Sequence, residues 1–368
     1  MAESMDNDSK RPALRVIHLL GGHRAFDLGG EQVRIGPDFP RRFLEIPTRP
    51  YAETFRALQS IGLRPIGVEF LTRATQIGAD APDFQTFDIR AGYTAMTGRH
   101  EWSQVQNIET QRSSQILDVS SRFSTYYRLL TYRVLGLSEA YRSTLIGQLT
   151  DFDGSYRIPE DGTLFSNGFR TALEAAIHAF LADAACLRDL IAEAIWKLVL
   201  REPSTDVTTL RTFIKRTKQR KDDHPIVRQV HEAAEEDGWL FTLTSLRNAV
   251  IHIAPMGNAH ELSECQVRFQ ALQGGSIPTI HYPLLSSNGR VRPSQDPVDF
   301  YDDEIREVRL ADYDAFVKSS MDALEYLCGC HFRLVRMATD VRVAAQLDHK
   351  MLELTDKDII GPVRIARI

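Results

Sequence analysis

Between residues 173 and 198 the chain carries an apolar stripe that constrains its fold more than any other feature. Its members recur every three or four residues, on one face of a helix of about seven turns: Leu173, Ile177, Phe180, Ala184, Leu187, Ile191, Ile195 and Leu198. The opposite face lacks strong charge and contains His178, Ala182, Ala185, Asp189 and Trp196. Because alanines let another helix approach closely, the pattern predicts a helix in the middle of a bundle or at a dimer seam.

Further elements follow this helix at short intervals. Periodicity, capping residues and Gly/Pro breaks predict helices over 206–218, 225–237, 239–253 and 311–339, and a β-hairpin or loose insertion over 265–285. The predicted core of the last helix is Phe316, Met321, Leu324, Leu327, Phe332 and Val335. The sequence therefore predicts a mainly α fold, a helical bundle over 169–345 with a β-hairpin-like insertion at 262–309.

The chain before the bundle has a mixed character. Residues 1–10 are predicted to be disordered, 11–150 to form a smaller α/β or α+β region of unknown function that becomes helical, and 151–168 to be a linker. Within this region, strands are predicted at Leu14–Leu20, Gln32–Ile35 and Pro65–Leu71, and helices at 51–61, 115–136 and 137–149, the last capped by Ser138. Residues 346–368 are left as a C-terminal tail.

Composition excludes several classes of function. No apolar run approaches the roughly 20 residues that cross a bilayer, and the polar start has no signal-peptide core, so a cytoplasmic protein without membrane contact is expected. Four scattered cysteines predict neither a disulfide framework nor, at Cys328-Gly-Cys330-His331, a zinc site, which needs four ligands. Phosphate-binding glycine loops are absent. No metal and no cofactor is expected.

One short motif carries chemistry, the segment Arg247-Asn248-Ala-Val-Ile-His252. Asn248 and His252 are four residues apart and share a helix face, and the long stem of Arg247 can curl back towards them. The surrounding residues are apolar, so this polar trio is expected in a helix of the buried type, where polar groups need partners or a purpose. The spacing from Arg to His is by itself unspecific. The alternative to a functional site is a structural role, in which Arg247 and His252 cap or bridge helices.

A cluster of cations precedes the motif. It comprises Arg211, Lys215, Arg216, Lys218, Arg220 and Lys221. Because the net charge is −5, nucleic acid would have to bind to a local patch such as this one, although a solvated helix face explains the run equally well. His178 is a further candidate for the same cleft, with packing inside the bundle as the simpler alternative.

The motif and its helical context resemble the HEPN superfamily (higher eukaryotes and prokaryotes nucleotide-binding). The resemblance covers roughly residues 165–340, and the segment Phe180-Leu-Ala-Asp-Ala-Ala-Cys-Leu-Arg-Asp189 also looks like the long first helix of some prokaryotic members. It implies a homodimer whose two motifs meet in a cleft, and RNA cleavage without a metal by Arg247, Asn248 and His252. The insertion at 262–309 departs from a minimal bundle.

The resemblance implies an endoribonuclease of toxin or antiviral-defence type that leaves 2′,3′-cyclic phosphate and 5′-hydroxyl ends. An antitoxin or a regulatory partner would accompany such an enzyme. The alternatives are a non-catalytic module that binds RNA, nucleotide or protein, and a structural helical scaffold, because a fold does not fix a function.

Overall fold

The computed structural model describes residues 14–38, 43–71, 83–86, 110–202, 206–253, 256, 264–284 and 313–346. The predicted disordered start and the predicted C-terminal tail lie outside these residues, apart from Gln346. The part of the predicted insertion that follows the hairpin, residues 285–309, also lies outside the described residues.

The N-terminal part is a six-stranded antiparallel sheet in the order β4-β3-β2-β1-β5-β6. Its strands are β1 (Leu14–Leu19), β2 (Arg24–Asp27), β3 (Gln32–Gly36), β4 (Leu44–Pro47), β5 (Pro65–Leu71) and β6 (Asp83–Thr86). Helix α1 spans Tyr51–Ser60. The predicted strands at 14–20, 32–35 and 65–71 and the helix at 51–61 are confirmed to within one residue.

Successive side chains of strand β1 point to opposite faces of the sheet, and other parts of the chain cover both faces. Ile17 and Leu19 share a core with Phe55 and Leu58 of α1. On the other face the buried His18 shares a hydrogen bond of 2.8 Å between its Nδ1 and Ser138 Oγ. The central strand is thus held between α1 and the helical part of the chain.

Helix α2 runs without interruption over Thr110–Leu149, 40 residues. The prediction of two helices meeting at Leu137 is wrong, and so is the cap at Ser138. Ser138 is buried in the middle of the helix, where its hydroxyl bonds to His18 instead of to a free backbone N–H. Gly136 costs some helix propensity but does not end the helix.

The helical core continues with five further elements. They are α3 (Arg170–Ala194, extended by a π-helical turn at Ile195–Val199), α4 (Leu210–Arg220), α5 (Pro225–Ala233), α6 (Trp239–Asn248) and α7 (Ala323–Ala344). A second sheet, in the order β7-β8-β9, contains β7 (Leu164–Phe165) and the hairpin β8 (Cys265–Leu272) and β9 (Gly275–His281). The predicted hairpin is confirmed.

The predicted last helix is divided in two. Residues 313–319 form one helical segment, and α7 begins after Asp322, whose carboxylate accepts from Glu325 N at 3.1 Å as an N-cap. Tyr141 of α2 donates to the same carboxylate at 2.8 Å, and its hydroxyl accepts from Leu324 N. Two of the predicted core residues, Met321 and Phe332, are exposed at the break and on the outer face of α7.

The prediction of a mainly α fold is wrong, because two antiparallel sheets make this an α+β protein. The hydrophobic core of α2, α3 and α6 also includes hairpin residues such as Val267 and Ile280, so the strands belong to the same packed unit. None of the helices in the described part of the chain combines the length and apolar composition needed to cross a membrane.

Candidate active site

The motif lies at the end of α6, where the helix widens. Leu240, Leu243 and Leu246 are buried against the bundle, so the residues that follow each of them turn towards the surface. After Asn248 the backbone changes to a π-helical turn, Ala249–Ile253. Such turns are rare and occur often at functional sites, and this one lies between Arg247 and the end of the motif, with His252 inside it.

The π-helical turn brings the three predicted residues together. Arg247 Nη1 donates to Asn248 Oδ1 at 3.0 Å and lies 3.2 Å from His252 Nε2. Because a guanidinium can only donate, His252 Nε2 is the acceptor and its proton in this arrangement is on Nδ1. The two hydrogens of Nη1 are therefore both used within the motif.

Arg247 has further N–H donors on Nε and Nη2. Its Nε is buried and has no hydrogen-bond partner among the described residues. The side chain as a whole is half-buried, whereas Asn248 and His252 are exposed. The helix that holds the trio packs Leu240, Leu243 and Leu246 into the core, while Asn248 and His252 lie on its exposed side.

Two exposed apolar side chains lie close to the trio in the chain. Phe241 is 41% exposed and Ile251 is 48% exposed. Sequence patterning did not distinguish these two residues from core residues, because both fall within a largely apolar segment. The packing of the helix shows that both are exposed to solvent instead of buried in the core.

Helix α3 runs antiparallel to α6 and supports the motif from beneath. Arg188 Nη1 donates to Thr244 Oγ1 at 2.7 Å, one turn before Arg247, and also pairs with Asp189. At the other end of the motif, His178 Nε2 accepts from Met256 N at 3.1 Å. His178 is thus half-buried and bonded to the backbone four residues beyond His252. The sequence analysis did not identify Arg188 as a residue that supports the motif. The Arg188-Asp189 pair within an apolar stripe could have indicated it.

The cations of the predicted patch lie elsewhere. Arg220 is 5.2 Å above the Trp196 ring and pairs with Glu202, near the C-terminal end of α3. The motif lies against the segment of α3 between His178 and Arg188, so this end of the patch is roughly 15–20 Å away along the helix axis.

Some members of the basic patch form ion pairs and others do not. Arg216 pairs with Asp206 at 3.5 Å, and Arg220 is paired as described. Four members are exposed and form no ion pair with the described residues: Arg211, Lys215, Lys218 and Lys221. They are the members available to an anionic ligand.

The Cys328-Gly-Cys330-His331 segment lies on α7. Cys330 and His331 are buried, and burial lowers the pKa of His331 to about 4 and raises that of Cys330 to about 12. Among the described residues, no three His, Cys, Asp or Glu side chains are grouped closely enough to hold a metal ion.

Comparison of the chain with protein-family models found no matching family, and neither the curated proteins nor the solved structures gave a significant match. The interpretation of the site therefore depends on its geometry and on the sequence resemblance described above.

Proposed function

We propose that this protein is a HEPN-like endoribonuclease that cleaves RNA without a metal, with Arg247, Asn248 and His252 as its catalytic residues. The observation that carries the proposal is the hydrogen-bonded Arg247–His252 pair on an exposed surface, with Asn248 fixing the guanidinium. A permanently charged planar donor beside an imidazole is suited to a phosphodiester that supplies its own nucleophile.

The proposed reaction transfers two protons and exchanges one P–O bond for another. His252 removes the proton of the 2′-hydroxyl, and the 2′ oxygen forms a bond to phosphorus while the bond from phosphorus to the 5′ oxygen breaks. The leaving 5′ oxygen takes up a proton from a protonated His252. In the proposed dimer, the second copy of the protein supplies this histidine. The products are a 2′,3′-cyclic phosphate and a 5′-hydroxyl.

The hydrogen bond between Arg247 and His252 implies that phosphate binds before His252 acts as the base. Without RNA, the lone pair of Nε2 is occupied by the guanidinium. A phosphate oxygen is a stronger acceptor for a guanidinium than a neutral imidazole, because both partners are then charged. We expect bound phosphate to draw Arg247 away, which would leave His252 Nε2 free to act as the base.

The proposed dimer would place two such motifs in one cleft. Phe241 and Ile251 support an interface beside the motif, because exposed large apolar side chains favour contacts between proteins when a partner covers them. Ala185, predicted for the seam, is already buried within the protomer and Ala182 is half-buried. The interface is therefore proposed at the end of α6 and not along the alanines of α3.

A binding function without catalysis is the second candidate. It is favoured by the same contact, because an imidazole whose lone pair is held by arginine needs a rearrangement before it can act as a base. A module of this kind would use Arg247 and Asn248 to recognise RNA phosphate and would leave the RNA intact.

The test is cleavage of a defined RNA by the purified full-length protein in EDTA, with analysis of the product ends. His252→Ala should reduce cleavage by about 10²- to 10⁴-fold, the usual contribution of a general base. Arg228→Ala, which replaces an exposed arginine of α5 outside the motif sequence, is the matched control and should cleave like wild type. Equal cleavage by His252→Ala and wild type would refute the nuclease, while binding without cleavage by either would favour the second candidate.

A further inference from the structure

The π-helical turn at Ala249–Ile253 lies between two contacts with α3. Before the turn, Arg188 Nη1 donates to Thr244 Oγ1 at 2.7 Å, and after it His178 Nε2 accepts from Met256 N at 3.1 Å. Turns of this kind are rare within α-helices, so interactions from outside the turn are needed to favour it over an α-helical path. The two side chains of α3 are placed to provide them.

The contact before the turn fixes α6 three residues ahead of Arg247. Thr244 uses its hydroxyl in both directions, because it accepts from Arg188 and donates to Leu240 O at 2.6 Å. The Arg188 side chain is only 10% exposed, so water competes little for its hydrogen bonds. This end of the turn is therefore held by a charged donor, which forms stronger hydrogen bonds than a neutral one.

Arg188 is itself held in place by the residue that follows it. Its Nε donates to Asp189 Oδ1 at 2.9 Å, and the same oxygen accepts from Leu210 N, at the beginning of α4, at 3.0 Å. The carboxylate thus fixes the guanidinium and joins α3 to α4. A side chain that is already restrained loses little further conformational entropy when it binds Thr244.

The contact after the turn is made to the backbone. His178 Nε2 accepts from the N–H of Met256, four residues beyond His252, and the Met256 side chain is 7% exposed. An imidazole nitrogen accepts only when it carries no proton, so this bond requires a neutral His178. The chain that leaves the motif is therefore held by a hydrogen bond to its backbone and by the burial of a side chain.

Holding both ends of the turn fixes the relation between Arg247 and His252. On an α-helical path the two side chains would point in different directions around the axis. On the π-helical path Arg247 Nη1 lies 3.2 Å from His252 Nε2. Release of either end would let the segment return to the α-helical path and would remove this contact.

We propose that Arg188 and His178 are positioning residues, which hold the two ends of the π-helical turn and so keep Arg247 within hydrogen-bond distance of His252. Both act through α6 and its continuation, and neither contacts RNA. Their effect on catalysis rests on the proposed nuclease function. Their effect on the geometry of the motif does not.

The tautomer of His252 reports this geometry in the absence of RNA. Its Nε2 accepts from Arg247, so its proton is on Nδ1, and the hydrogen bond of one ring nitrogen decides which nitrogen carries the proton. Long-range proton–nitrogen correlation NMR of the full-length protein, with isotope-labelled histidine at pH ~8, distinguishes the two forms. The His252 signals are identified by their absence from His252→Ala. We expect the Nδ1–H form in wild type and a shift towards the Nε2–H form in Arg188→Met and His178→Leu.

Three further variants separate positioning from a general loss of packing. Arg133→Met is the matched control, because Arg133 pairs with Asp183 of α3 at 2.7 Å but joins α3 to α2 and not to α6. It should leave the tautomer unchanged. Thr244→Val removes the acceptor of Arg188 at nearly constant shape and should reproduce the effect of Arg188→Met. His178→Gln keeps an acceptor at a similar reach and should retain the Nδ1–H form.

Cleavage kinetics provide a second measurement. A misplaced catalytic group lowers the rate of the chemical step, so Arg188→Met and His178→Leu should reduce kcat by about 10- to 100-fold. KM should be unchanged, because neither side chain contacts RNA. Arg133→Met and His178→Gln should cleave like wild type.

The outcomes distinguish this proposal from the nuclease itself. An unchanged His252 tautomer in Arg188→Met, His178→Leu and Thr244→Val would overturn the positioning role, even if wild type cleaves RNA. A wild type with the proton on Nε2, or a shift of equal size in Arg133→Met, would overturn it as well. A shift confined to the three variants, with no cleavage by wild type, would support positioning and count only against the nuclease.

Discussion

Arg247 Nη1 lies 3.2 Å from His252 Nε2, and the same nitrogen donates to Asn248 Oδ1 at 3.0 Å. One guanidinium nitrogen thus links the other two members of the motif. The contact depends on the π-helical turn at Ala249–Ile253, because residues i and i+5 of an ordinary α-helix lie about 140° apart around the axis.

Replacing the guanidinium while keeping its charge tests this linkage. A lysine ammonium is a single point donor and lacks the planar fork that serves Asn248, His252 and a phosphate together. We expect Arg247→Lys to reduce kcat/KM for RNA cleavage by about 10- to 100-fold, or by about 1.4–2.7 kcal/mol of transition-state stabilisation. The half-buried position predicts a change in stability within about 1 kcal/mol. Wild-type activity of Arg247→Lys would contradict a role for the fork.

The basic residues of α4 should affect binding and not chemistry, because part of the patch is remote from the motif. Lys215 and Lys218 are exposed and form no ion pair with the described residues. We expect the double variant Lys215→Ala/Lys218→Ala to weaken RNA binding and to lower the slope of log Kd against log salt by about 1–2. The maximal cleavage rate should be unchanged. Arg228→Ala, on the neighbouring α5, is the control, and an unchanged Kd in the double variant would mark the patch as a solvated face.

Stability should fall as the pH is lowered below about 6.5. Burial lowers the pKa of His23, His281 and His331 to about 4, so each binds a proton in the unfolded chain before it does in the folded one. The stability linked to these groups is fully present above pH ~6.5 and is lost as the pH falls towards 4, at roughly 1 kcal/mol per pH unit for each fully buried group.

Asp322 opposes this trend, because burial raises its pKa to about 6 and its contribution is lost as the pH rises through that value. We expect the urea midpoint to be lower at pH 5 than at pH 7 for wild type. The decrease should be steeper for Asp322→Asn, which retains an N-cap but does not titrate. A midpoint that is equal or higher at pH 5 would contradict the assignment of neutral buried histidines.

The turn between β1 and β2 should tolerate only glycine. Gly21 has a φ of 78°, and a Cβ added there would lie 2.6 Å from Cβ of Thr279 on β9. Gly21→Ala should therefore lower the free energy of unfolding by about 2–4 kcal/mol, from backbone strain together with the overlap.

A matched substitution should have the opposite sign. Gly136 lies in the middle of α2, and a Cβ added there meets nothing within 4 Å. Gly136→Ala should raise the free energy of unfolding by about 0.5–1 kcal/mol through helix propensity. Urea unfolding of both variants provides the measurement; a Gly21→Ala protein as stable as wild type would show that Thr279 does not constrain the turn.

Local pattern determined much of the secondary structure. The strand at Pro65–Leu71, the helix ending near Gly62 and the hairpin from Cys265 were predicted because periodicity and turn residues act over a few residues. The apolar stripe of α3 was predicted for the same reason, and the motif residues were identified by their chemical types.

Tertiary structure decided what those elements do together. The sequence could not show that Ser138 bonds to His18 inside one continuous helix, because the two residues are 120 positions apart. The division of the last helix at Asp322 depends on Tyr141, from another helix. The α+β class depends on which strands pair, and the exposure of His252 depends on which face of α6 packs inwards. Long-range contacts fix these features, and no local pattern contains them.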